Sequence, residues 1–407
     1  MTTSSKLLQK LSFGQVKRTA FHPMSTQKGK IPFDILDSIR GIASLYVTIA
    51  HCRGVLWVGG NEFLKMFPLD TWNVWDYIMF GSSMLTRLAV EFVIIFFVLS
   101  GFSIAHSLSN SKSPRQFYKR RFIRIYPSYV VALVWAGLVF VATYFWHPEW
   151  YDGSMTRFAF VRTNEMNTYM ERGVVLKNLI YMPSRGFVTP FWSLTYEIIF
   201  YILAPFLLRK INAYAIVSFI LFLLPFFVPE QLQAIGMPTY IYEFLFTFNV
   251  YFAVGVILYK NLDTALGWLG SITKKTMLAG LSLLVIIMYG VNFYFRIETV
   301  YSFIVSAMLS VVLILYFLKY MVRIPWLMNV GKFSYTLYIT HFATIFLYLG
   351  IYWWLAKPSV PYILNYFVWM PAVGLVLLVA WVQYQLIEKR TKNILNFIRS
   401  KSKTTAT

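Results

Sequence analysis

Three sets of side chains with reactive potential stand inside or beside stretches of sequence that are otherwise hydrocarbon. The first set is Asp37, Arg40 and His51 in LDSIRGIASLYVTIAHCRGVLWVG. On a helix, Arg40 and His51 share one face but stand about 16 Å apart along the axis, so they cannot touch. Asp37 lies one turn before Arg40, at the spacing of an ion pair. A neutral imidazole in a membrane cavity is a good general base near pH 7, and that is the chemistry expected of His51. The plain alternative is a histidine satisfied by structural hydrogen bonds. Cys52 points about 100° away from His51, so a Cys–His nucleophile pair is not expected.

The second set is carboxylates. Glu197 in TPFWSLTYEIIFY has Ser193 one turn before it and Tyr201 one turn after it, all on one helical face. Glu91 in LTRLAVEFVIIFFVLSGFSIAH is expected to face the bundle, because a carboxylate facing lipid is costly; pairing with Arg87 is its structural alternative. Trp192 is either a pocket wall or an interfacial belt residue. The third set is the arginines of YKRRFIRIYPSY, where Arg121 and Arg124 lie on one face. Their guanidinium forks suit a phosphate, although an anionic lipid head group would bind them too. His341, in GKFSYTLYITHFATIF, reads as a satisfied core histidine with Tyr338 at i−3 as its partner.

Membrane-spanning elements must position these groups. Of 407 residues, 58% are hydrophobic and only 13% charged, against about 25% charged in ordinary soluble domains. That excludes a soluble globular enzyme, a disordered chain and a disulfide scaffold. The single cysteine excludes an intrachain disulfide and a cysteine metal cluster, and no metal site is expected. The chain reads as an all-α polytopic bundle of about ten transmembrane helices, near 36–58, 84–106, 125–147, 189–208, 211–229, 241–259, 276–295, 299–318, 333–354 and 362–387.

With both termini cytoplasmic, 26 of the 37 Lys and Arg fall in cytoplasmic segments, 10 in outer ones, and Arg40 within the first span. This is the positive-inside bias, and it accounts for the net charge of +21 without a nucleic-acid partner. The organisation expected is a tail at 1–34, one membrane domain at 35–387 and a basic tail at 388–407. The first span acts as an uncleaved anchor. The loop 148–188 faces outward and is a candidate cover for the mouth of a site. By depth, His51, Glu91 and Glu197 lie in the outer half, and Arg40, Arg121 and Arg124 at or near the inner face. A substrate with an anionic head and a reactive tip would bridge that gap, as a coenzyme A thioester does.

The stretches LDSIRGIASLYVTIAH (36–51), FFVLSGF (96–102), RRFIRIYP (120–127), FWSLTYEIIFY (191–201), FSYTLYITH (333–341) and, less closely, QLIEKR (385–390) resemble, in this order, the acyltransferase-3 family of integral-membrane O-acyltransferases. The resemblance implies transfer of an acyl group, most often acetyl, from cytoplasmic acyl-CoA to a hydroxyl of an extracytoplasmic acceptor, commonly a glycan. It implies the plasma (inner) membrane, acyl-CoA as co-substrate with no permanently bound cofactor, and a partner protein for any further transfer.

The family's Arg and His fall on Arg40 and His51, its paired arginines on Arg121 and Arg124, and its Trp-Ser…Glu motif on Trp192, Ser193 and Glu197. In the expected mechanism His51 is the base or takes the acyl group itself, Glu197 orients His51 or the acceptor, and Arg40 steadies the CoA arm. Arg121, Arg124, Trp192, Ser193, Tyr201 and Glu91 make up the substrate-binding set. Ile94 stands where many members carry an acid, and Arg390 stands where a Glu-x-Pro pattern is common, so Glu91 and Glu388 carry over poorly. A transporter or flippase for a glycan or lipid-linked substrate fits the composition equally, as does a sensor of anionic lipid; the order of the motifs favours the enzyme. The topology is testable: reporters fused at residue 407 and within 148–188 should report cytoplasmic and outer locations respectively, and the same location for both would break the even span count.

Overall fold

The computed structural model describes residues 31–58, 60–151, 173–182, 186–295, 299–357, 363–391 and 393. The two tails therefore lie largely outside the described residues, as does most of the loop 148–188 read as a cover. Among the described residues there are helices and no strands.

Ten helices matter here: α1 Leu36–Leu56, α2 Ala89–Ser109, α3 Pro114–Trp146, α4 Trp192–Leu207, α5 Ile211–Phe227, α6 Asn249–Lys260, α7 Lys274–Phe295, α8 Val300–Lys319, α9 Ser334–Ala356 and α10 Trp369–Gln383. Each corresponds to one apolar stretch of the sequence. Two differences are instructive. Among the described residues, eight helical stretches are long and apolar enough to cross a membrane, and one of them, Val188–Phe227, contains both α4 and α5. Forty residues in a straight helix would run about 60 Å, twice a hydrocarbon core. The chain breaks at Lys210, whose φ of −127° and ψ of 71° leave the helical region. Helix α1 is not among the eight, because Asp37, Arg40, His51 and Arg53 make it too polar. Its polarity is tolerated because α1 lies inside the bundle, against α2, α9 and α10.

Helix α3 starts earlier than its apolar stretch. Ser113 accepts a hydrogen bond from the Gln116 N–H and Pro114 occupies the first turn, a strong start signal. Arg121 and Arg124, expected in a cytoplasmic segment, thus ride on the same rod as the apolar part. Side chains of α5 and α7 such as Ile216, Phe219, Leu283 and Ile286 are exposed, as lipid-facing surface requires.

Two contacts bring backbones unusually close. A Cβ on Gly101 of α2 would stand 2.1 Å from the Phe252 carbonyl oxygen of α6, and one on Gly255 of α6 would stand 2.0 Å from the Val98 oxygen of α2. The same reciprocity joins Gly41 of α1 to Leu327, and Gly331 to Asp37, in the short helix Pro325–Lys332. Small residues permit such approach where there is no hydrophobic drive between helices in lipid. Gly101 is used in this way. Gly101→Ala and Gly255→Ala are each expected to destabilise by about 1–3 kcal/mol through overpacking. Gly280→Ala, whose Cβ meets nothing within 4 Å, should not. Thermal unfolding in detergent measures the difference.

Candidate active site

Helices α1, α2, α3, α4 and α9 enclose a cavity of about 890 Å³, its open mouth included. On α2 the lining residues Val93, Phe96, Phe97, Ser100 and Ser103 recur at three- and four-residue steps, which is one face of a helix. From Ser103 to Val93 that face runs about 15 Å along the axis.

The end bounded by Ser103 is cationic. Arg40 pairs with Asp37 at 2.6 Å through Nη1 and donates to the Ser103 hydroxyl at 2.8 Å through Nη2. Arg121 and Arg124 share the wall. The Arg121 guanidinium lies over the rings of Phe117, at 5.6 Å, and Tyr201, at 5.4 Å, a cation–π arrangement that holds the fork without consuming its hydrogen-bond donors. Neither Arg121 nor Arg124 has a carboxylate or hydroxyl partner among the described residues. Two guanidinium groups on a cavity wall with their donors unspent form an anion-binding surface.

Further along the cavity stands a cluster around Glu197. Its Oε1 accepts from the Ser100 hydroxyl at 2.8 Å and from the Tyr201 hydroxyl. Its Oε2 carries no bond among the described residues. Beyond it the Ser193 hydroxyl meets the Tyr338 hydroxyl at 2.6 Å, and Tyr338 donates to the Pro190 carbonyl at 2.9 Å.

One turn past Tyr338 on α9, beyond the cavity wall, His341 is fully buried. Its Nδ1 is 2.7 Å from the backbone oxygen of Tyr338, and its Nε2 is 2.8 Å from Nδ1 of His51. The two rings lie nearly parallel, with centroids 5.0 Å apart.

Of the residues singled out in the sequence, Arg40, Arg121, Arg124, Ser193, Glu197 and Tyr201 line the cavity together. The ion pair Asp37–Arg40 forms, and so does the Glu197–Tyr201 contact. Three expected site residues stand off the wall. Glu91 is nine residues from Ser100, about 180° around α2, so it faces the opposite side. There it accepts from Asn292 at 2.8 Å. Trp192 is about 140° from Glu197 on α4 and packs among Phe97, Tyr196 and Phe248. His51 is on the Arg40 side of α1 but is not among the residues lining the cavity, and its partner is His341, not Glu197. Ser103 is not singled out by the sequence, and the small pair Ser100–Gly101 suggests close helix contact or a break exposing backbone groups, not a side chain on the wall. The spacing of Ser100 and Ser103 with Phe96 and Phe97 is the available signal. His341, read as a core histidine bonded to Tyr338, does bond it, through the Tyr338 backbone oxygen.

The family described as an acyltransferase domain matches residues 33–398, most of the chain. Over 136 residues the chain is 31% identical to Acyltransferase MdmB of Streptomyces mycarofaciens, covering 32% of this chain and 33% of that protein. Over 117 residues it is 31% identical to Protein 2 in the picA locus of Rhizobium radiobacter, covering 28% of this chain and 48% of that protein. In both cases the match spans less than half the length of the relative. No solved structure matches.

Because Arg121 and Arg124 hold no acidic partner, Arg121→Gln and Arg124→Gln should leave the melting temperature near wild type. Each substitution removes a charged donor from the anion-binding wall, and coenzyme A is the polyanionic ligand that probes it. Binding of that ligand, measured by calorimetry in detergent, should weaken about tenfold or more in either variant. Unchanged affinity would remove the arginines from the ligand site.

Proposed function

This chain belongs to the acyltransferase-domain family and is an integral membrane protein, and from that premise we propose that it moves an acyl group, acetyl foremost, from acyl-CoA on the cytoplasmic side to a hydroxyl on the far side of the plasma (inner) membrane. The acceptor is a glycan, and a partner protein carries out any further transfer. The observation that carries this reading is the cavity itself, which pairs unspent guanidinium groups at one end with a carboxylate and hydroxyls toward the other, the histidine pair standing beyond its wall. A coenzyme A thioester has the complementary layout of a phosphorylated head, a thin arm and a neutral acyl tip.

In this reading Arg121 and Arg124 take the phosphates and Arg40, held by Asp37 and Ser103, steadies the arm. The acceptor hydroxyl has a pKa far above neutral and needs a base to attack. His51 removes its proton, the hydroxyl oxygen bonds to the thioester carbonyl carbon, the carbon–sulfur bond breaks, and the departing thiolate takes the proton back from His51. Glu197 acts on the cavity side, where its unbonded Oε2 accepts a hydrogen bond from the arm or the acceptor. Tyr338, bonded to Ser193 on the cavity wall, stands one turn before His341, and in this reading that bond parts for the acyl tip to approach His51.

Purified protein in detergent should consume acetyl-CoA with no gradient imposed, which a transporter would not do. With membranes and labelled acetyl-CoA, label should pass to a glycan. His51→Ala should reduce transfer about 10²–10⁴-fold, the usual contribution of a general base. A folded His51→Ala protein with wild-type transfer would end the role given to His51.

A further inference from the structure

His341 is a buried imidazole that the mechanism above does not use, and its hydrogen bonds fix more than its own position. The backbone oxygen of Tyr338 can only accept, so Nδ1 of His341, 2.7 Å away, carries the hydrogen. His341 is fully buried with no carboxylate among its partners in the described residues, so a charge there would stand uncompensated in hydrocarbon. A neutral imidazole has one N–H, which leaves Nε2 of His341 as an acceptor. Nδ1 of His51, 2.8 Å from that lone pair, must then be the donor. The tautomer of His51 follows: hydrogen on Nδ1, lone pair on Nε2. That Nε2 has no hydrogen-bond partner among the described residues.

We propose that His341 is the positioning residue of the active site, holding His51 through the chain Tyr338 oxygen–His341–His51 in the tautomer whose free Nε2 receives the acceptor proton. This deepens the acyl-transfer reading and rests on it. The near-parallel stacking of the two rings, and the edge of Phe342 against His51 at 5.4 Å, restrain the ring's rotation. The arrangement has the logic of a catalytic triad, in which the third group sets the tautomer and orientation of the base. The difference is that a neutral imidazole orients without supplying a counter-charge. When the acceptor's hydroxyl proton arrives on Nε2, His51 becomes an imidazolium that keeps its Nδ1–H bond to His341. When the proton passes to the leaving thiolate, the starting tautomer returns, with no net change in either ring. Tyr338 thus serves two zones, its hydroxyl bounding the cavity and its carbonyl anchoring the relay.

The test combines a spectroscopic readout with kinetics. In protein labelled with ¹⁵N-histidine, with the His51 signals assigned by their loss in His51→Asn, Nδ1 should be the protonated nitrogen of His51. A proton on Nε2 overturns the proposal. In acetyl-CoA turnover, His341→Ala should lower kcat about 10- to 100-fold, part of a general base's contribution, with KM for acetyl-CoA unchanged. His341→Gln, whose side-chain oxygen can accept from His51 Nδ1, should recover most of the loss. A folded His341→Ala protein at wild-type kcat, or a folded His341→Gln protein as slow as the alanine variant, overturns it as well. If His341→Ala does not fold, the wild-type spectrum and the glutamine variant still decide. If wild-type protein turns over no acetyl-CoA at all, the acyl-transfer reading falls alone, and the tautomer is still read from the spectrum.

Discussion

Charge in hydrocarbon is the constraint from which the rest of this structure follows. An ionised side chain facing lipid is costly, so each one must find a partner, reach a head-group boundary or line a wet cavity. Asp37 and Arg40 satisfy each other with the help of Ser103. Glu91 turns to Asn292 on the far side of α2. Arg121 and Arg124 follow neither course within the protein. Both open onto the cavity, a polar space that the fold keeps within the bundle. A bundle selected for stability alone would close it with leucine. The unspent guanidinium donors are therefore the best structural indication that the space is meant for an anion.

Closing the bundle around such a space demands tight contacts elsewhere. The glycine exchange between α2 and α6 lets two backbones meet on the face of α2 that turns away from the cavity mouth, so α2 is clamped while its other face stays open. At the arginine end of α1, the exchange between Gly41 and Gly331 fixes the turn that carries Asp37 and Arg40. The polar groups are held by what packs behind them, and small residues do that packing because lipid tails give helices no hydrophobic reason to associate.

How much of this is legible in the sequence divides along one line. Relations within a helix are readable, because a period of 3.6 residues decides which side chains share a face. Asp37 with Arg40, Arg121 with Arg124, and Ser193 with Glu197 and Tyr201 all emerge from spacing alone. The same rule, applied between Glu91 and Ser100 or between Trp192 and Glu197, removes Glu91 and Trp192 from the wall. Relations between helices are not readable. Nothing in α1 says that His51 meets His341 of α9, and Glu197 looks like an equally good partner when both are placed only by depth. The helix count is blurred for a related reason. Apolarity measures contact with lipid, so α1, which is polar and buried among α2, α9 and α10, reads as a weak span although it is central.

Two rigid rods set the working distance of the site. Helix α1 carries Arg40 and His51 about 16 Å apart on one face, and helix α9 carries Ser334 on the cavity wall at one end and His341 beyond it at the other. Because α1 and α9 pack against each other, the spacing between the cationic end and the histidine pair is built into secondary structure and does not depend on a loop. A ligand that spans it must itself be long, thin and charged at one end only. On the cavity wall the Ser193 and Tyr338 hydroxyls bond to each other at 2.6 Å. A net gain of about 0.5–1.5 kcal/mol is typical of one such hydrogen bond. The distance between the cationic end and the histidine pair is thus set by two helices and by their packing against each other.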